Sequence, residues 1–493
     1  MKRSLLFLLT LFLSSTTFAQ DFQWAYTAGL PTRSHTVAVR QSPNKNYCLA
    51  VYTDSSTFRS SSLFMYNASQ QLLWSKNFVG KVTLRDVEIC SDNSILAVGS
   101  FEDSVLIDNS WLNVSPGYEG GFIFKCDANG NLQWAKTLNP FNDSFEPANL
   151  YLANDSLMYL TARLNGASAS FCSFHQLNAN GMITKSEMGG NFDNRTYTNI
   201  LTDANGDIYI SGTCGNSAEF DSLHADINFS YQNFLVKYDT SFKAMWLVCK
   251  QYITFDDNNK LTYDGNNLYW VYDDFSNMNG DTVRVLKVNV NGQTILSFDG
   301  QVPGAFFPGI AFDMDAHGNA VLIEEAFVRL YLTRLDSAFN VLWRDTIYTG
   351  ASGFGQELGV SCYDSCFYLS TLYYNDTLSV GNINLINPNV SQNSPSDLFV
   401  SKWGYPVITS IQLNSNTNKV ELFPNPVSDY LQVKLNAGLG NFDISIFDAN
   451  GRKVTFLYDE YSRRLDVSGL SSGIYLLNLK FNNSTYTTRF LKF

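Results

Sequence analysis

The chain has 493 residues, 45% hydrophobic and 15% aromatic but only 16% charged, with a net charge of −12. So much apolar and aromatic material excludes long disorder, because it can bury a core. The acidic balance disfavours nucleic acid as a partner, since that affinity rests on Lys and Arg facing phosphates. At this length, a compact fold points to a repeat array.

The first predicted element is an address. Met1-Lys2-Arg3 is followed by the apolar run Leu5 to Leu13 and the small residues Ser14 to Ala19. A basic start, a short apolar stretch and small residues before a cut read as a secretory signal peptide over 1–19. No later run reaches the about 20 apolar residues of a membrane helix, so no integral membrane segment is expected. The next element, Asp21-Phe22-Gln23-Trp24-Ala25-Tyr26, reads as a strand with no hairpin before it.

The middle of the chain repeats. An apolar strand ends in a basic or polar residue, an Asp or Asn turn follows, and then an aromatic strand. The turn residues of successive copies are Asn67, Asp127, Asn178, Asp239, Asn289, Asp336 and, in a seventh copy that stops short, Gly404. Their spacings are 60, 51, 61, 50, 47 and 68 residues. These bracket the period of propeller blades, with long inter-strand loops supplying the excess. A second hairpin precedes each copy, giving four strands per repeat. The seventh copy lacks its Trp-bearing fourth strand, and residues 22–27 supply one. Pairing the two ends removes the open edges of the array. The expectation is a seven-bladed β-propeller over 20–405, closed by the N-terminal strand 22–27. Trp24, Trp74, Trp134, Trp246 and Trp343 share one strand position, which suggests packing between blades. The fourth strands of the third and fifth copies run to Thr184 and Leu296 instead.

Candidate chemistry is sparse. His35, His175, His224 and His317 fall in different repeats without ligand spacing, and the expected reading is structural. Asp203-Ala204-Asn205-Gly206-Asp207 places oxygens at alternate positions, as calcium loops do. Asn-Gly hairpin turns explain the same residues better. No cofactor is expected, and any calcium would sit on Asp203, Asn205 and Asp207. The pairs Asp256-Asp257, Asp273-Asp274 and Glu324-Glu325 point to opposite strand faces, so none is itself a catalytic dyad. Of the eight cysteines, Cys362 and Cys366 flank a short turn and are the candidates for a cross-hairpin disulfide.

A polar linker at 406–418 precedes the last element, 419–493. It contains Pro424-Asn425-Pro426, the hairpin turn Asn450-Gly451, the strand Gly473-Ile474-Tyr475 and the ending Arg489-Phe490-Leu491-Lys492-Phe493. Short alternating strands split by turns suggest a small Ig-like β-sandwich.

That string resembles the type A C-terminal sorting domain of the type IX (Por) secretion system of Bacteroidetes. The residues that carry the resemblance are Pro424, Asn425, Pro426, Gly473, Tyr475 and Lys492. It implies recognition by an outer-membrane translocon, then release or attachment at the surface. The propeller region is similar to secreted bacterial seven-bladed repeat families. The expectation is therefore an all-β, secreted or surface protein that binds a glycan or protein. Tyr118, Phe145 and Phe306 are the loop aromatics considered as contacts. The alternative is a carbohydrate-active or peptide-cleaving enzyme on the same scaffold. Carboxylates converging at one propeller mouth would mark that alternative.

Overall fold

The structure is a computed structural model. It describes residues 21–493 apart from 31–33, 55–58, 80, 140–143, 166–169, 189–195, 216–217, 226–227, 229–230, 253–258, 275–281, 301–308, 327, 351–357, 364–365, 391–395, 405–419, 436–442, 449–452, 460–462 and 482–483. The expected signal peptide at 1–19 and the expected linker at 406–418 lie outside the described residues. The chain divides into two units, one ending at Pro406 and one beginning at Val407. The elements of both are strands.

In the first unit the described residues form seven four-stranded antiparallel sheets. Sheet one runs Ser34–Gln41, Tyr47–Asp54, Arg59–Tyr66, Leu72–Val79. Sheet two runs Val82–Ile89, Ile95–Glu102, Glu119–Cys126, Leu132–Leu138, and sheet three Ser144–Asn154, Leu157–Asn165, Ser170–Asn178, Ile183–Met188. Sheet four runs Thr196–Thr202, Ile208–Gly215, Tyr231–Tyr238, Ala244–Tyr252, and sheet five Lys260–Tyr263, Asn267–Asp274, Thr282–Asn289, Thr294–Asp299. Sheet six runs Gly309–Met314, Ala320–Ala326, Arg329–Leu335, Val341–Tyr348. Sheet seven combines Gly359–Tyr363, Cys366–Tyr373 and Asp397–Gly404 with the N-terminal strand Asp21–Thr27. That strand pairs antiparallel with Asp397–Gly404, from Asp21 opposite Gly404 to Thr27 opposite Phe399.

The first strand of each sheet lies beside the first strand of the next, and that of sheet seven lies beside that of sheet one. This radial array of four-stranded sheets is a β-propeller. Its core is a series of seams rather than one centre. Separate buried clusters join sheets one and two, two and three, three and four, four and five, five and six, six and seven, and seven and one. Strand alternation explains this, because successive residues of one strand point into opposite seams. Leu49 of sheet one packs toward sheet seven, while Ala50 packs toward sheet two.

Short ribbons account for the uneven repeat spacing. Ser104–Ile107 pairs with Ser110–Asn113, Glu219–Phe220 with Leu223–His224, and Thr377–Val380 with Ile383–Ile386. Each lies between the second and third strands of sheet two, four or seven. Those are the three repeats with the longest spacings.

The Asp and Asn turns recur for a local reason. Each side-chain oxygen accepts backbone N–H groups two and four residues on. The Asp127 carboxylate accepts from the amides of Asn129 at 2.9 Å and Asn131 at 2.8 Å. Asp239 accepts from Ser241 and Lys243, and Asp336 from Ala338 and Asn340. Side-chain hydrogen bonds from Asn131, Ser241 and Asn340, with these backbone amides after them, hold the Asp127, Asp239 and Asp336 carboxyls below the usual carboxylate range.

The second unit holds two four-stranded sheets around a core that includes Leu431, Val433, Ile446, Leu465, Tyr475, Leu477 and Phe490. One sheet is built from Val420–Phe423, Tyr430–Leu435, Arg464–Asp466 and Leu457–Asp459. The other is built from Lys453–Val454, Asp443–Phe447, Gly473–Phe481 and Ser484–Lys492.

Candidate functional site

The first strands of all seven sheets contribute to one cavity of about 480 Å³, with Leu358, just ahead of Gly359–Tyr363, completing the wall. Counted back from the hairpin turns, these strands stack their residues in levels. One level holds Ala38, Asp86, Asn149, Asn199, Lys260, Ala311 and Gly359. The level nearer the turns holds Arg40, Glu88, Tyr151, Leu201, Thr262, Asp313 and Ser361. In sheets one to four the pairing shifts by one residue, leaving Val37, Arg85, Ala148 and Thr198 as bulges on the wall.

Much of the polar lining is spoken for by neighbouring sheets. Arg40 of sheet one donates to Asp86 Oδ1 of sheet two at 3.1 Å. Asp86 Oδ2 accepts from Asn149 Nδ2 at 2.7 Å and from the Leu150 amide at 3.0 Å, both in sheet three. Asn149 Oδ1 accepts from the Ile200 amide of sheet four at 3.1 Å. Asn199 Nδ2 donates to the Asn259 carbonyl, just ahead of sheet five, at 2.8 Å. Asp313 Oδ2 of sheet six accepts from the Cys362 amide of sheet seven at 2.7 Å. The Gln41 amide of sheet one donates to Ser361 Oγ of sheet seven at 3.3 Å. Buried polar groups need such partners, and here they tie inner strands around the ring.

Three carboxylates do converge on Arg40. Its guanidinium is 3.1 Å from Asp86 and 3.6 Å from Glu88, and the charge of Asp313 also reaches it. Burial would lower Arg40, but these acids outweigh it and hold it charged. Burial pushes the Glu88 carboxyl up, Arg40 pulls it down, and Asp86 and Asp313 raise it again, to about 7. Asp313 is raised chiefly by burial, against lowering hydrogen bonds from Cys362 and Met314. Glu88 keeps 26% of its side-chain surface open and stands on the cavity wall. The wall thus carries one raised carboxyl, Glu88, and two further carboxylates held in place by backbone amides.

The residues singled out from sequence are scattered. Asp203 Oδ1 accepts from the Asn205 and Asp207 amides at 2.9 and 3.1 Å, and its Oδ2 accepts from the Tyr209 hydroxyl at 2.9 Å. Asp207 pairs with Lys237 at 2.7 Å. Among the described residues no group of three His, Cys, Asp or Glu side chains could hold a metal ion. Cys362 pairs with Phe367, and Tyr363 with Cys366. This register puts the two sulfurs on opposite faces of the hairpin, against the cross-hairpin disulfide expected there. Cys366 Sγ instead donates to the Tyr363 carbonyl at 3.1 Å. Phe145 is fully buried beside His175, with rings 5.3 Å apart, so it is core and not a contact. Tyr118 is exposed, and Phe306 lies outside the described residues. Asp86, Asn149, Glu88 and Arg40 were missed. Aligning the repeats on their first strands, rather than their third, exposes the Asp86, Asn149 and Asn199 level.

Several residues that carry the resemblance to the sorting domain lie along or beside the final strand. Asn425 Nδ2 donates to the Arg489 carbonyl at 3.1 Å, and the Leu491 amide donates to Asn425 Oδ1 at 2.9 Å. The Val427 amide donates to the Leu491 carbonyl and the Phe493 amide to the Val427 carbonyl. The Pro-Asn-Pro segment therefore runs along the final strand. Tyr475 stacks on Phe490 at 5.5 Å, and its hydroxyl donates to the Ser471 carbonyl at 2.8 Å. Lys492 is buried beside Val427.

Residues 421–492 match the secretion system C-terminal sorting domain. No curated protein matches the chain. Among solved structures, polysaccharide lyase Uly1 is similar at 12% identity and a TM-score of 0.45, covering 77% of this chain and 92% of that one. The β-propeller domain of the Trilobed protease from Pyrococcus furiosus is similar at 9% identity and a TM-score of 0.38, over 68% and 91%. Sqt1 from Chaetomium thermophilum is similar at 10% identity and a TM-score of 0.40, over 84% and 96%. The sorting domain marks the protein as a Bacteroidetes type IX secretion substrate, exported to the cell surface or the medium. No helix among the described residues is long and apolar enough to cross a membrane.

Proposed function

We propose that this protein is an exported binding or adhesion module whose seven-bladed propeller, residues 20–405, holds a glycan or protein ligand. The linker at 406–418 and the sorting domain at 419–493 deliver it through the type IX translocon. The supporting observation is the central cavity. Its volume falls in the range of ligand pockets, and its Asp and Asn side chains bridge neighbouring strands rather than face one another as a dyad. The test is a screen of the mature full-length protein against a glycan array and a polysaccharide-degradation panel. Binding without turnover is expected.

Glu88 favours a second reading. A carboxyl that titrates near neutrality beside other acids can act as a general acid. Turnover of any polysaccharide or peptide, abolished by Glu88→Gln, would make the protein an enzyme and overturn the first reading.

A further inference from the structure

The central cavity is lopsided. At the level of Asp86, sheets six, seven and one contribute only Ala311, Gly359 and Ala38, while sheets two to five contribute Asp86, Asn149, Asn199 and Lys260. A side chain cannot be added at Gly359, where a Cβ would lie 2.6 Å from the Thr36 methyl. The small residues leave a recess opposite a polar wall. One level nearer the turns, Glu88 and Asp313 stand on the lining with Arg40.

Three further features restrict what fits. The lining mixes both signs of charge, with Arg40, Arg85 and Lys260 beside Asp86, Glu88 and Asp313. A charged ligand would meet like charges in so small a space, and their juxtaposition costs several kcal/mol. A neutral ligand meets none. Second, bulges interrupt four of the seven inner strands, and bulged edges resist pairing with an added strand. An extended peptide is thereby disfavoured. Third, the Glu88 carboxyl stands on the lining, where it can accept a hydrogen bond from a ligand hydroxyl, and Arg40 donates beside it.

Resting on the binding reading above, we infer that the cavity seats one neutral, hydroxyl-rich unit, the terminal ring of an uncharged glycan, in this recess, with Glu88 as its polar contact. The ring occupies the space beside Ala38, Ala311 and Gly359. The remainder of the chain leaves past the bulge residues Ala148 and Thr198. Glu88 makes the central polar contact, because the other carboxylates of the lining already hold backbone amides.

The experiment measures affinity of the mature full-length protein for neutral and uronate-bearing glycans, using isothermal calorimetry on array hits. Two variants are compared with it. Glu88→Gln keeps shape and removes the charge. Ala148→Trp places a large side chain at an exposed position on the wall, away from the seams. Both are checked for an unchanged melting temperature. If Ala148→Trp alone lowers it, Thr198→Trp serves as the blocking variant. The expected result is binding of a neutral glycan, weakened at least tenfold by each variant. Neutral-glycan binding unchanged by both variants would overturn the cavity assignment and leave the binding reading standing. Binding of only acidic or basic ligands would overturn the neutral class. Binding of no glycan would overturn the inference, and a protein ligand found instead would still satisfy the broader reading.

Discussion

The clearest residue-level consequences concern two groups with opposite pH behaviour. His175 is fully buried, with Ser173 Oγ at 2.8 Å from Nε2 and Ser186 Oγ at 2.8 Å from Nδ1. Burial lowers it from 6.5 to about 4. The unfolded chain therefore binds a proton that the folded chain refuses as pH falls through that window. Stability should fall by roughly 3 kcal/mol between pH 6.5 and 4 from this residue alone. His175→Gln should flatten that slope in denaturant titrations across pH. Glu88 acts the other way. Its folded value near 7 exceeds its ordinary 4.5, so its contribution is full below pH 4.5 and fades as pH rises through 7. Glu88→Gln should remove this fading, and an unchanged pH profile would contradict the assignment. Both histidine and acid were visible as letters, but their burial was not. The recurring basic residue of the repeat was legible, whereas its role was not. Lys237, Lys287 and Lys402 lie 5.2, 5.1 and 5.5 Å from the ring centres of Tyr209, Tyr269 and Tyr368, one strand inward.

At the scale of elements, the repeated Trp is a staple between sheets. The Trp74 indole of sheet one donates to the Ala128 carbonyl in the last turn of sheet two at 3.0 Å, and Trp246 of sheet four donates to Val290 of sheet five at 3.1 Å. The turn glycine must accommodate the ring. A Cβ at Gly130, Gly181 or Gly292 would lie 2.7, 2.5 or 3.1 Å from Trp74, Trp134 or Trp246, and each glycine has positive φ. Where the staple is missing, the turn compensates. Register puts Lys185 and Leu296 at the Trp position of sheets three and five, so the third copy is displaced by one from the expected Thr184. The following turns carry Phe242 and Phe339 at positive φ in place of glycine. Their rings reach back, Phe242 to Phe174 at 4.7 Å and under Lys185, and Phe339 to Phe298 at 6.4 Å. Filling thus passes from one side of the seam to the other. Lys185→Trp alone should destabilise by about 1–3 kcal/mol through overpacking. Phe242→Gly alone should cost about 2–4 kcal/mol through a cavity. The double variant should lose at least 1 kcal/mol less than the sum, and additive losses would refute the exchange. The sequence showed the Trp position because a large residue repeats there. It hid the exchange, because a partner supplied by the next repeat leaves no mark in its own.

At the scale of the whole molecule, Asp397 ties the closing N-terminal segment to the last strand of the ring. Its carboxylate accepts from the Thr27 hydroxyl, the Gly29 amide at 3.2 Å, the Leu30 amide at 3.1 Å and the Leu398 amide at 2.8 Å. Asp397→Ala should cost about 2–4 kcal/mol, since it removes several charge-assisted hydrogen bonds, and should expose the N-terminal strand to proteolysis. Resistance equal to wild type would show that strand pairing suffices. Deletion of 419–493 should leave the protein in the periplasm, and unaltered appearance outside the cell would contradict the targeting role. The ring and its sorting domain were readable because repetition and a terminal motif are properties of the sequence itself. The cavity was not, because its wall takes residues from seven distant segments.

The placement of the N-terminal strand also has a mechanical meaning. The chain leaves the propeller at Gly404, the end of a strand flanked on one side by Cys366–Tyr373 and on the other by Asp21–Thr27. A load applied through the C-terminal part therefore enters the propeller at a strand gripped by two neighbours, not at a sheet margin. The margin strand of that sheet, Asp21–Thr27, is not the one from which the chain runs on past residue 404, so such a load does not enter through it. When the propeller is pulled while the chain is held downstream of residue 404, the force is shared between two hydrogen-bonded ladders.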